Sequence, residues 1–188
     1  MEPDIKTIIL DAKCLDNQQV QVKDDRSPSR KRVITYHKNW TFSPSDFLPD
    51  AQINLAKILL DCVSNDHIIK DPKLNIILRM LYDKLRSYRA QDMSKTHYSE
   101  DEFITMQSLM ELILRANNTC FYCKETVKLI YEEVRDPKQW TLERIDNSKG
   151  HNTDNVELAC LACNLRRRTM YHERYILTKQ MCNIIKST

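Results

Sequence analysis

Two Cys-x-x-Cys pairs, Cys120/Cys123 and Cys160/Cys163, constrain this 188-residue chain more than any other feature. Such a pair makes a tight turn that brings both sulfurs to one point. Two of them supply the four thiolates of a closed, tetrahedral Zn²⁺ site. Between the inner cysteines stand 36 residues. With no open position left on the ion, the predicted zinc is structural and clamps a hairpin to a helix. Seven cysteines, an odd number, fit metal binding better than a disulfide framework. Cys14, Cys62 and Cys182 lack ligand-like spacing and read as small buried hydrophobes. The expected location is an intracellular reducing compartment; nucleus, cytoplasm and a virus-associated setting all satisfy it.

Glycine sets the second constraint. The chain has one, Gly150, where average usage of about 7% would give roughly 13. One glycine cannot build a glycine-rich phosphate loop, a dinucleotide fingerprint or a nucleophile elbow. A glycine-rich all-β fold is also disfavoured, so the expected class is α+β and mostly α. Hydrophobic residues are 41% of the chain, enough for a real core. No apolar run approaches a signal or membrane segment, so no membrane partner is expected. The net charge of +3 is unevenly spread: residues 41–114 carry 8 basic and 11 acidic groups, residues 115–188 carry 13 and 9. The C-terminal part can therefore approach a polyanion more easily than the middle.

The pattern divides the chain into three parts. Residues 1–40 form an N-terminal segment, with a strand-like Ile5–Leu10 and a polar, charged Lys23–Arg32 that reads as a linker or arm. Trp40, Phe42 and Phe47 suggest an extended segment docked on a core. Residues 41–116 are expected to be helical. The first helix lies near Ala51–Val63; the second begins at the Asp71-Pro72 cap and runs to about Ala90. The third begins at Ser99, with Glu102 completing a capping box. Residues 117–188 form the cysteine module. Thr126–Val134 and Trp140–Ile145 are β-prone and read as a hairpin. Asp154 with Glu157 reads as the cap of a helix carrying Cys160, Cys163 and Asn164, and a last helix spans Met170–Ile185.

Between the cysteine pairs stands TLERIDNSKGHNTDNVELACLACNLRR, Thr141 to Arg167. Here the chain resembles the HNH, or ββα-metal, endonucleases. It looks most like the zinc-bearing subgroup whose CxxC pairs bracket a D-R-I-D-N-x-x-G-[YH] run; the recombination endonuclease that resolves branched DNA is a distant relative. The resemblance covers about residues 115–170. It implies a ββα-metal module that binds one divalent cation, Mg²⁺ or Mn²⁺, against a scissile phosphate. It also implies roles: Glu143 as the acidic metal ligand at the strand end, Asn155 pinning the loop, and Asn164 as the metal ligand on the helix. The family's water-deprotonating His is replaced by Arg144.

The chemistry of these residue types agrees. Phosphodiester hydrolysis needs an in-line water, a base, and a cation to offset charge on the phosphorane and leaving oxygen. A Glu carboxylate with an Asn carbonyl is a hard oxygen pair suited to such a cation. Arginine stays protonated and cannot be the base. Three readings stay open: Asp146 or His151 takes that role, Arg144 clamps the phosphate while the metal alone activates water, or the site is catalytically dead. Lys149 and Arg166, Arg167 and Arg168 are candidate backbone contacts. His37, His67, His97 and His172 have no ligand-like spacing.

The expected function is therefore metal-dependent cleavage of DNA, branched or single-stranded substrates included. The helical part would give substrate choice or a homodimer contact. The alternative is a catalytically inactive zinc-stabilised module that binds nucleic acid or protein. Gly150 is expected to take positive φ in the loop between strand and helix.

Overall fold

The computed structural model describes residues 42–65 and 67–186. Ile5–Leu10, Lys23–Arg32, Cys14, His37 and Trp40 lie outside the described residues, as does the side chain of Cys182. The fold is mixed α+β, about half helical, with a small two-stranded antiparallel sheet.

A short 3-10 turn at Pro44–Phe47 leads into α1 at Pro49–Ser64. Proline stands at the first helical position, where its missing N–H leaves no intrahelical bond unmade. Phe42 and Phe47 meet edge to face, with ring centroids 6.3 Å apart, and both pack against the core. The second helix, α2, spans Pro72–Ser94, and the Asp71 side chain accepts from the Lys73 N–H at 2.7 Å, as the sequence pattern requires.

The third helix differs from expectation. It spans Met106–Arg115, and its N-cap is Thr105, whose hydroxyl accepts from Ser108 N–H at 3.0 Å. The Ser99–Glu102 capping box does not form. Glu102 instead accepts from Asn152 Nδ2 at 2.8 Å, and Ile104 N–H bonds to the His151 carbonyl at 3.0 Å. The segment from Glu102 to Ile104 is thus tied to the loop around Gly150.

The predicted strand at Thr126–Val134 is also corrected. It makes only isolated bridges, because its backbone groups find other partners. Gln52 of α1 is buried, and its Oε1 accepts from both Leu129 N–H and Ile130 N–H, at 2.7 and 3.0 Å. One side chain satisfies two buried donors that a ladder would otherwise need. The sheet instead pairs β1, Trp140–Arg144, with β2, Val156–Cys160, in the register Trp140↔Cys160 to Arg144↔Val156.

The helix expected from Asp154 is therefore strand up to Cys160. Helix α4 spans Leu161–Arg167, with Cys160 as its N-cap. Helix α5 follows at His172–Lys186. The order after the first cysteine pair is strand, long loop, strand, helix. Buried residues from Ala56 to Tyr175 form one cluster, so the three helices and the strands share a core. Among the described residues, no helix is long and apolar enough to cross a membrane.

Candidate functional site

The four cysteines converge as their spacing demands. Their Sγ atoms all lie within 4.8 Å of one another, and none forms a disulfide. The first pair sits in a turn after α3. Lys124 takes φ 60° directly after it, and Phe121 N–H bonds to Leu158 O of β2 at 2.7 Å. The second pair straddles the β2–α4 junction. The crowding appears in the acidities: hydrogen bonds from Cys160 and Cys163 hold the Cys120 thiol far below its ordinary value, while the Cys120 sulfur pushes Cys160 up to about 11. This group could hold a metal ion, and its all-thiol chemistry is compatible with a structural zinc. His172, bonded through Nδ1 to the Tyr122 hydroxyl at 3.0 Å and stacked on Phe121, buttresses the same corner.

A 660 Å³ cleft opens between α2, β1, the loop and α4. Glu143, Arg144, His151 and Asn164 all line it. So do Lys84, Tyr88, Arg135 and Arg168, so three arginines stand in its walls against one carboxylate. An excess of one sign of charge in a cleft attracts the opposite sign.

Glu143 is buried and paired with Arg167. Arg167 is 1% exposed, and it also donates to the carbonyls of Arg144 and Ile145 at 2.6 and 2.9 Å. Arg167 is therefore not a surface contact for a nucleic-acid backbone. It is an internal counter-charge that also ties α4 to the end of β1. Burial still pushes the Glu143 carboxyl up to about 7, against the opposing pull of Arg167. Glu143 Oε2 is buried with no hydrogen-bond partner. Asn164 donates through Nδ2 to Thr141 Oγ1 and the Leu142 carbonyl, at 3.3 and 3.2 Å, which leaves Oδ1 without a partner among the described residues.

Asn155 holds the loop from inside. Its Nδ2 donates to the carbonyls of Asp146 and Gly150, at 3.0 and 2.9 Å, and its Oδ1 accepts from Asp146 N–H at 2.9 Å. Arg144 reaches back along the same loop and donates to the carbonyls of Lys149 and Asn147, at 3.0 and 3.4 Å. These bonds make Arg144 a brace for the loop. Asp146 is exposed, and one carboxylate oxygen accepts from both the hydroxyl and the N–H of Ser148, which hold its pKa below the usual carboxylate range. Lys149, Arg166 and Arg168 are exposed.

His151 is buried. Its N–H donates to Asp92 Oδ2 at 2.7 Å, and its Nδ1 lies 2.8 Å from Asp92 Oδ1. Tyr88 packs on the ring with centroids 4.5 Å apart. Burial lowers the imidazole pKa, with Asp92 opposing. Lys84 stands one turn before Tyr88. Its Nζ donates to the Trp140 carbonyl and lies 4.2 Å from that indole ring, and burial pushes it down to about 7. Lys84, Tyr88 and Asp92 are spaced i, i+4, i+8, so one face of α2 serves the cleft. Sequence reading missed all three; the i+4 spacing was the available signal, and without a tertiary partner it has no direction.

Gly150 does not take positive φ. A Cβ there would lie 2.5 Å from His97 O, 3.0 Å from Asn152 Oδ1 and 3.1 Å from Asp92 Oδ2. The residue is small because α2 and the segment after it press against it. Left-handed backbone falls on Thr96, Asn117, Asn118, Lys124, Arg135 and Arg168 instead.

Comparison with protein-family models, with curated proteins and with solved structures finds no match to this chain.

Proposed function

We propose that this chain is a metal-dependent HNH-type endonuclease hydrolysing phosphodiester bonds in DNA, with a structural zinc on the four cysteines. One observation carries the reading. A single cationic cleft gathers a carboxylate, an amide oxygen and an imidazole from three separate segments. The two oxygens fit a hard divalent cation such as Mg²⁺ or Mn²⁺. Glu143 Oε2 is an orphaned buried acceptor, and Asn164 Oδ1 is unpartnered. When bound there, the cation would offset the charge that develops on the phosphorane and leaving oxygen.

The chain's own groups divide the remaining work. His151 is the proton acceptor: its ring lines the cleft, and its lowered pKa keeps it neutral near pH 7. Asp146 is a poor base, being exposed and held in its ionised form by Ser148. Arg144 braces the loop. Arg135 and Arg168 supply positive potential for the phosphate backbone. Lys149 and Arg166 extend that potential at the surface.

The test is nicking of supercoiled plasmid and of branched DNA in Mg²⁺ or Mn²⁺. Wild type should cut, whereas Glu143→Ala/Asn164→Ala should not. Zinc content near one per chain should accompany activity. Absence of metal-dependent cleavage on every substrate sinks the enzyme reading. One observation favours the second reading, an inactive zinc-stabilised module that binds nucleic acid or protein. Arg167 already neutralises Glu143. On that reading DNA binding persists without cutting, and Glu143→Gln, which still gives Arg167 an oxygen acceptor, changes neither.

A further inference from the structure

The loop that carries His151 is held by a residue far outside the cysteine module. Asp92 of α2 is fully buried, and both of its carboxylate oxygens face the same histidine: Oδ2 accepts the backbone N–H at 2.7 Å, and Oδ1 lies 2.8 Å from Nδ1. We propose that Asp92 is a positioning residue that fixes His151 in its Nδ1–H tautomer and so leaves Nε2 as the proton acceptor facing the cleft. Its catalytic consequence rests on the endonuclease reading; the tautomer itself does not.

The reasoning is one of donors and acceptors. An ionised carboxylate can only accept. The backbone N–H of His151 can only donate, so it claims Oδ2. The proton between Oδ1 and the ring must then sit on Nδ1, and a neutral imidazole carries its lone pair on Nε2. No described residue hydrogen-bonds to Nε2. Loop anchoring alone would need a single acceptor; the second bond orients the ring.

Two further features serve the same geometry. Tyr88, one turn earlier on α2, packs on the ring, and its hydroxyl accepts from Leu142 N–H of β1 at 3.1 Å. That bond ties the ring's support to the strand bearing Glu143. Gly150 allows the close approach, since a Cβ there would crowd Asp92 Oδ2 and strike His97 O. The charged groups that bear on His151 are Asp92 and Lys95 from the α2 end and Arg144 from β1; the first favours the imidazolium and the other two oppose it.

The experiment uses the full zinc-loaded chain. Nitrogen-15 NMR of the His151 ring should report the Nδ1–H tautomer in wild type. In Asp92→Asn the backbone N–H still requires the amide oxygen, so the amide NH₂ faces Nδ1 and the ring must move its proton to Nε2. Cleavage should then fall about 100-fold in kcat, with KM for DNA little changed and the acidic limb of the pH–rate profile displaced. An Nε2–H ring in wild type overturns the proposal, and this arm needs no variant to fold. An unchanged tautomer and pH profile in folded Asp92→Asn, with wild-type activity, also overturns it while leaving the endonuclease standing. A wild-type chain with the expected tautomer but no cleavage sinks the endonuclease instead.

Discussion

The cysteine cluster and the cleft are built by opposite logics. The cysteine cluster takes all four of its atoms from two short turns, and its geometry is nearly complete in the local sequence. The cleft takes Glu143 from a strand, His151 from a loop, Asn164 from a helix, and Asp92 with Tyr88 from a helix some fifty residues earlier. The first depends on a covalent pattern. The second depends on packing, so it can fail while every one of its residues is still present. Arg167 marks the difference most clearly: it lies in a run of three arginines, and only the fold makes it internal.

The comparison breaks most completely at the cysteines. Removing zinc with a chelator, or Cys163→Ala, should unfold residues 117–186, since structural zinc contributes about 10–16 kcal/mol in zinc-finger peptides. Hydrogen exchange should show protection lost there first, ahead of α1 and α3. Equal loss in all parts would mean the shared core, not the metal, sets the stability.

The next effect is at the buried ion pair. Arg167→Met should cost about 3–5 kcal/mol, because it strands a buried carboxylate. Adding Glu143→Gln should restore most of that loss. A double-mutant cycle in urea checks this, and additive losses would show that the pair is not coupled.

Gly150→Val follows, at about 1–3 kcal/mol for an overpacked site. Its contacts are His97 and Asp92, so the strain falls on the seam between helices and loop. Thermal melting gives the size, and the His151 amide, freed from Asp92, should lose its exchange protection.

Titration of His151 gives a smaller signal. Its folded pKa lies below the ordinary value. The unfolded chain therefore binds more protons as pH falls below about 6.5, and the associated stability is present above that pH and is lost as pH falls through the folded pKa. His151→Gln should flatten this part of the stability–pH curve. The smallest effect is at the surface: on the proposed nuclease reading, Arg168→Ala should weaken DNA binding evenly across sequences and lower the salt slope by about 1.

Much of the frame was legible. The Asp71-Pro72 cap and the cysteine convergence follow from local rules that the structure obeys. What misled were local patterns with a stronger distant partner. Ser99–Glu102 has the form of a capping box, but Glu102 binds Asn152. Thr126–Val134 has strand composition, but Gln52 takes two of its N–H groups. Asp154–Glu157 can start a helix, but the following residues complete a ladder with β1. In each case a buried backbone group or side-chain amide had to be satisfied, and the partner it found was remote in sequence.

Gly150 shows the same division at one residue. The sequence alone determined that the chain could build no glycine-rich loop and that its four paired cysteines must meet. It could not tell whether the one glycine was needed for torsion or for room. Torsion is local, and six other described residues adopt the left-handed region without a glycine. Room depends on what arrives from elsewhere, here His97 and Asp92, and only the tertiary structure brings them to 2.5 and 3.1 Å.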